Sequence, residues 1–246
     1  MHKPLTTVAI VAAGLLIAGC SESDKGSGPA STTTTSTTAT RPPVAQPALD
    51  GLLPTPDEVN AAMGVTGMAV QQNATAMQTD YDKKWPPECF FASGSAEDPA
   101  YANSGFTAVR LQVVGAPAPP ADQNAAPPSA TTGLVLFPSS KEASAFFTAS
   151  AQKWAACSDR QWTVPPEGAN DAEQRMQTKP LTNANGVLSL TLTGSIVGAG
   201  INITMTCQRA LTVRNNVAID INTCGKDPGD TAVTIANQVG GKVDKL

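Results

Sequence analysis

The residues with the most chemistry in this chain are its five cysteines and its one histidine. The histidine is His2, inside a leader expected to be removed, so the processed chain has no imidazole. That excludes Ser-His-Asp and Cys-His nucleophilic sites, histidine general bases and histidine metal ligands. Ser139, Ser140 and Lys141 stand together, but a helix cap accounts for the serines. No G-x-S-x-G nucleophile elbow occurs. The chain is read as a non-enzyme that takes no cofactor and no metal.

Cys20 has a different role. Lys3 supplies a short positive region, and residues 5–18 an apolar stretch too short for a membrane span. The stretch ends in Ile17-Ala18-Gly19-Cys20, the pattern of a bacterial lipobox. Residues 1–19 are therefore expected to be a lipoprotein signal peptide, with Cys20 acylated. Each buried methylene contributes about 0.8 kcal/mol, so several acyl chains hold a protein firmly on a membrane. Residues 20–48 read as a Ser/Thr/Pro-rich disordered tether with nothing to bury, and residues 49–246 as the folded domain. A coil of the tether's length reaches roughly 26–31 Å. These features predict a location on the outer face of the cell membrane.

The other four cysteines, Cys89, Cys157, Cys207 and Cys224, make an even count in an exported chain. Residues 207–224 read as a β-hairpin turning at Asn215-Asn216, with a type I′ turn. In that register Arg214 faces Val217 and Cys207 faces Cys224, in a non-hydrogen-bonded pair with Cα atoms about 4.5 Å apart. Cys89 then pairs with Cys157. The chain-entropy model gives about 4.4 kcal/mol for the long loop and about 3.2 kcal/mol for the hairpin. Four-thiolate metal binding lacks any C-x-x-C spacing.

Composition narrows the partners. The formal net charge is −4, only 15% of residues are charged, and no basic run exceeds Lys83-Lys84. A nucleic-acid binder shows a basic stripe, so that class is set aside.

The elements that must position these residues follow from periodicity and caps. Thr55 and Pro56 start a helix that stops at Gly64. A strand is expected near 67–72, and an irregular loop holding Cys89 over 80–100. Phe106 to Val114 alternates as a strand, and 115–130 is a Pro/Ala-rich exposed insert. Thr131 to Phe137 is a strand. Ser139 and Glu142 form a capping box for a helix to about Ala156. Ala143, Phe146, Phe147, Ser150, Trp154 and Cys157 make one face of that helix, read as core. Strands follow near 159–164, 172–179, 187–194, 200–213 and 217–224. Asp227 caps the closing helix. Hairpin-linked strands with a few packed helices predict an α+β fold with an antiparallel sheet and two disulfides.

The hairpin separates two faces. Val217, Ile219, Ile221, Ala210 and Thr212 form the expected core face. Cys207, Arg209, Leu211, Asp220 and Asn222 form a mixed face, for which solvent and a cleft wall both stand open. Arg209 and Asp220 are diagonal neighbours placed to pair. Ile201, Ile203 and Met205 share the mixed parity, which predicts a bulge or a strong twist before Cys207.

Four segments together resemble the extracellular sensor domain of mycobacterial PknH-type Ser/Thr kinases. They are LLPTPDEVNAAMG, FPSSKEASAFFTASAQKWAAC, CQRALTVRNNVAIDINTC and AVTIANQVGGKV. The resemblance covers roughly residues 49–246. It implies an α+β domain with an antiparallel sheet, two disulfides and a cleft for an unidentified ligand. The expected function is a lipid-anchored sensor-type module that binds a small molecule or cell-wall fragment. The alternative is an envelope accessory to a receptor kinase or another membrane protein. Trp85, Tyr101, Arg209, Asp220 and Asn222 are the candidate lining residues. Loop packing for the two aromatics and a solvated strand face for the other three are the simpler readings.

Overall fold

A computed structural model describes residues 41–79, 83–116, 124–168, 171–198 and 200–246. Cys20, the leader and the tether as far as residue 40 lie outside the described residues. So does the middle of the Pro/Ala insert, residues 117–123.

Nine strands form one antiparallel sheet: β1 (Ala69–Ala74), β2 (Ala108–Gly115), β3 (Ser129–Leu136), β4 (Gln161–Val164), β5 (Glu173–Thr178), β6 (Thr182–Ala184), β7 (Val187–Gly198), β8 (Ile201–Arg214) and β9 (Val217–Gly225). Their spatial order is β1-β2-β3-β9-β8-β7-β5-β4, and β6 pairs with β7. The helices are α1 (Leu49–Leu52), α2 (Pro56–Met63), α3 (Asp98–Tyr101), α4 (Ser140–Ala155) and α5 (Thr231–Val243).

Both faces of the central sheet are covered. Val217, Ile219, Ile221 and Ala210 pack with Ile235, Ala236 and Val239 of α5, and with Leu49, Leu52 and Val59 of α1 and α2. On the other face Ala218, Leu211 and Cys207 pack with Phe146 and Trp154 of α4, and with Phe91 and Tyr101. This corrects the expectation that the mixed hairpin face meets solvent or a cleft. Alternating side chains feed two cores because helices lie on both sides of the central strands.

The hairpin register is as expected, with Arg214 opposite Val217 and Cys207 opposite Cys224. The two disulfides join Cys89 to Cys157 and Cys207 to Cys224, with Cα–Cα distances of 5.2 and 4.1 Å. Only Asn215 of the turn takes a left-handed φ, 51°, so the expected type I′ turn is not formed. No bulge interrupts β7–β8, which runs in one register from Val187–Thr212 to Gly198–Ile201. The parity conflict disappears because the mixed face is itself core. β1 carries the register shift, between Val70 and Gln72.

Local chemistry explains the remaining ends. The Thr55 hydroxyl accepts from the Glu58 N–H, Glu58 accepts from the Thr55 N–H, and Gly64 closes α2 at φ 64°. Ser139 caps α4 by accepting from the Lys141 N–H and donating to the Glu142 carboxylate, so the box differs from the expected one. α5 starts at Thr231 with Asp230 at the N-cap, not at Asp227. The 80–100 loop contains a 3-10 helix, Pro87–Ser93, followed by α3. The strand β6 was not expected; it is three exposed residues, Thr182, Asn183 and Ala184, joined to β7 by Asn185-Gly186, both at positive φ.

Candidate functional site

Four of the five candidate lining residues gather in the interior. Arg209 is 3% exposed, Asp220 0%, Tyr101 1% and Asn222 7%. Asp220 accepts from Arg209 Nε at 2.8 Å and Nη2 at 2.5 Å, from the Tyr101 hydroxyl at 2.9 Å and from the Ala96 N–H at 2.9 Å. Asn222 sits directly across from Arg209 on the neighbouring strand. Burial, and then the Asp220 charge, push the Tyr101 hydroxyl well above its ordinary pKa.

The loop reaches this cluster because of Gly133. A Cβ there would lie 2.8 Å from the Ala96 Cβ, and Ala96 itself has φ 52°. The guanidinium carbon of Arg209 lies 5.2 Å from the Trp154 ring centre and 5.9 Å from that of Phe91. The cluster ties the hairpin, the 83–101 segment and α4 together. Its polar members Arg209, Asp220, Tyr101 and Asn222 form a scaffold beneath the surface. Trp85 stands apart, 5.2 Å from Trp162 in an edge-on contact, and donates to Gln174 Oε1 at 3.2 Å.

A cleft of about 710 Å³ lies on the arm built by β4, β5, β7 and β8. Strand registers align two rows of side chains on the exposed face. One row is Gln161, Gln177, Thr193 and Thr206; the other is Thr163, Arg175, Ser195 and Thr204. Between them runs the row Trp162, Met176, Gly194 and Met205, whose side chains belong to the opposite, α4-side face. Gly194 leaves room for the Met176 side chain, whose sulfur would lie 2.5 Å from a Cβ at that position and would have to move to admit one.

Seven of the eight outward side chains are uncharged donors and acceptors, and Arg175 is the exception, paired with Glu173. Neighbouring strands space them about 4.8 Å apart. Such a grid suits hydrogen bonds to a ligand carrying many hydroxyl or amide groups. The end of the Pro/Ala insert forms one rim: Thr204 N–H donates to Asn124 O at 2.8 Å, and Ala126 N–H donates to Thr204 O at 3.0 Å.

Sequence reasoning missed these residues. Their signal was the polar half of the alternation in 161–164, 173–178 and 191–206. Uncharged polar alternation reads equally well as a solvated strand face, so it does not single out a site. Also missed was Ser150-Ala151-Gln152-Lys153, a Ser-x-x-Lys spacing within α4. Among the described residues no group of three or more His, Cys, Asp or Glu stands together, and no helix is long and apolar enough to cross a membrane.

The sequence model of the PknH-like extracellular domain matches residues 44–242. The serine/threonine-protein kinase PknH of Mycobacterium bovis is 31% identical over 203 residues, which are 82% of this chain and 32% of the kinase. PknH of Mycobacterium tuberculosis matches at the same identity over 82% of this chain and 30% of its own length. The chain thus spans about a third of these relatives, and the part it matches is the extracellular domain rather than the catalytic one. The crystal structure of the extracellular domain of PknH from M. tuberculosis superposes with a TM-score of 0.70 at 29% identity, covering 83% of this chain and 99% of that one. Sequence and fold agree over the whole disulfide-linked body from the Val44 region to α5, and the chain belongs to the PknH-like extracellular domain family.

Proposed function

We propose that this chain is a lipid-anchored, extracytoplasmic, non-catalytic binding module for a hydroxyl-rich small molecule or cell-wall fragment. The observation that carries the proposal is the sheet-arm cleft, with its two aligned rows of mostly uncharged polar side chains. Ligand sites of several hundred Å³ that exist before binding avoid much of the ordering cost. The anchor rests on Ile17-Ala18-Gly19-Cys20.

In this reading the five original candidates act from behind. Trp85 backs the arm through Trp162, while Tyr101, Arg209 and Asp220, with Asn222 beside them, hold the strands that carry it. Titration of the isotope-labelled chain with soluble peptidoglycan fragments tests the idea. Shift changes should gather on Thr193, Ser195 and Thr204. Gln177→Ala and Thr206→Ala should each weaken binding about fivefold, the loss of roughly one hydrogen bond. Absence of saturable binding, or shifts gathered elsewhere, would remove the cleft from consideration. Capture of a kinase extracellular domain by the same chain, with no fragment bound, would favour the accessory reading.

A further inference from the structure

Ser150 and Lys153 lie one turn apart on α4 and both line a pocket of about 340 Å³ between α4 and the 83–101 segment. The pocket is on the face of the sheet opposite the sheet-arm rows. Its walls are apolar, formed by Phe90, Phe91, Trp154 and Pro87. Phe91 and Trp154 stack at 4.5 Å with planes 10° apart. The guanidinium of Arg209 lies 5.2 Å from the Trp154 ring and is held in turn by Asp220. The walls cannot drift apart, because the Cys89–Cys157 disulfide joins the 3-10 helix to the end of α4.

Charge selects the occupant. Glu88 at one lip is already paired with Arg160 at 2.8 Å. Lys153 at the other lip is exposed and makes no ion pair among the described residues. Ser150, 4% exposed, presents its hydroxyl on the same helical face. A carboxylate that meets the ammonium above and the hydroxyl below, with a flat apolar body against the stacked rings, satisfies all of these groups. The volume lies at the low end of ligand pockets, which suits one or two rings and excludes an oligosaccharide.

We infer that this pocket is a second binding site, separate from the sheet-arm cleft, for a small aromatic carboxylate. The probes are 2-naphthoate and its uncharged counterpart 2-naphthylmethanol. They are titrated calorimetrically into the full chain carrying Cys20→Ser, which needs no detergent. Ligands of this size reach a Kd of about 0.1–1 mM. Lys153→Gln should weaken naphthoate roughly three- to fivefold, the upper part of the range of an exposed charge pair, and leave the alcohol unchanged.

Ala100→Trp, which fills the pocket, should abolish binding of both probes. Ala156→Trp at the opposite lip serves where the first variant does not fold. Thr206→Ala in the sheet-arm cleft should leave naphthoate binding intact, so this site and the cleft stand or fall separately. Failure of both probes to saturate at about ten times the expected Kd overturns the proposal. So does binding that survives both tryptophan variants, or naphthoate binding indifferent to Lys153→Gln.

Discussion

Asn216 holds the main chain of Val44 from both sides. Its Oδ1 accepts from the Val44 N–H at 2.7 Å, and its Nδ2 donates to the Val44 carbonyl at 3.1 Å and to the Phe137 carbonyl at 2.8 Å. Asn215 adds a donor to the Pro42 carbonyl at 2.7 Å. The hairpin turn is therefore a clamp for the chain entering the domain, and Val44 is buried at 7%. Residues 41–48, expected to belong to the tether, lie among the described residues, and Arg41, Pro42 and Val44 bond to Asp244, Asn215 and Asn216. Asn216→Ala leaves three buried main-chain groups without partners, at about 1–3 kcal/mol each where water cannot enter. Thermal unfolding should show a loss of roughly 3 kcal/mol or more. Asn215→Gly, which tolerates the left-handed φ of 51° and removes only the exposed hydrogen bond, should cost well under half of that.

Arg209 and Asp220 give a second prediction. The pair is almost fully buried, so each ion is stable only because the other is present. Asp220→Ala leaves a buried guanidinium and should destabilise by about 3–5 kcal/mol in chemical denaturation. Arg209→Met with Asp220→Leu together should be far milder than the sum of the two single changes. Additive losses would mean that the pair is not a unit.

How much of this was legible follows from which residues report locally. The Thr55 cap, the Gly64 stop and the cysteine register are read within a few residues, and the structure has them. The partners of Asp220 were half legible: Arg209 is a diagonal strand neighbour, but Tyr101 and Ala96 arrive over more than a hundred residues. Whether the mixed face met water was not legible at all. It depends on α4 and the 83–101 segment folding over it, which alternation within a strand does not encode. The outward polar rows were visible as alternation. They stand side by side only because the register aligns four strands.

Glu58 predicts a pH dependence. Its hydrogen bond with Lys242, 2.7 Å long, is the chief cause lowering its carboxyl below the usual range, and it links α2 to α5. A carboxyl depressed in the folded state stabilises the fold above its unfolded pKa, about 4.3, and loses that contribution as pH falls through the folded value. The pair is partly exposed, so screening limits it to about 0.2–1 kcal/mol. Glu58→Gln should be less stable than the parent at pH 7, and the gap should close as pH drops below about 4. Salt at 1 M should shrink the gap at pH 7.

Ser150 and Lys153 supply the test of the non-catalytic reading. Their spacing is one that serine acyltransferases use, with lysine drawing the proton from serine. Here the hydroxyl is 4% exposed and lies within α4, ten residues past its first residue, away from the donors of the helix N-terminus. Lys153 is exposed to solvent. The geometry fits an anchor for a carboxylate better than an activated nucleophile. A fluorophosphonate reacts with an activated serine by forming an oxygen–phosphorus bond and releasing fluoride. Mass spectrometry of the intact chain after exposure should show no adduct. Stoichiometric labelling lost in Ser150→Ala would make the α4 pocket a catalytic site and overturn the binding-module reading.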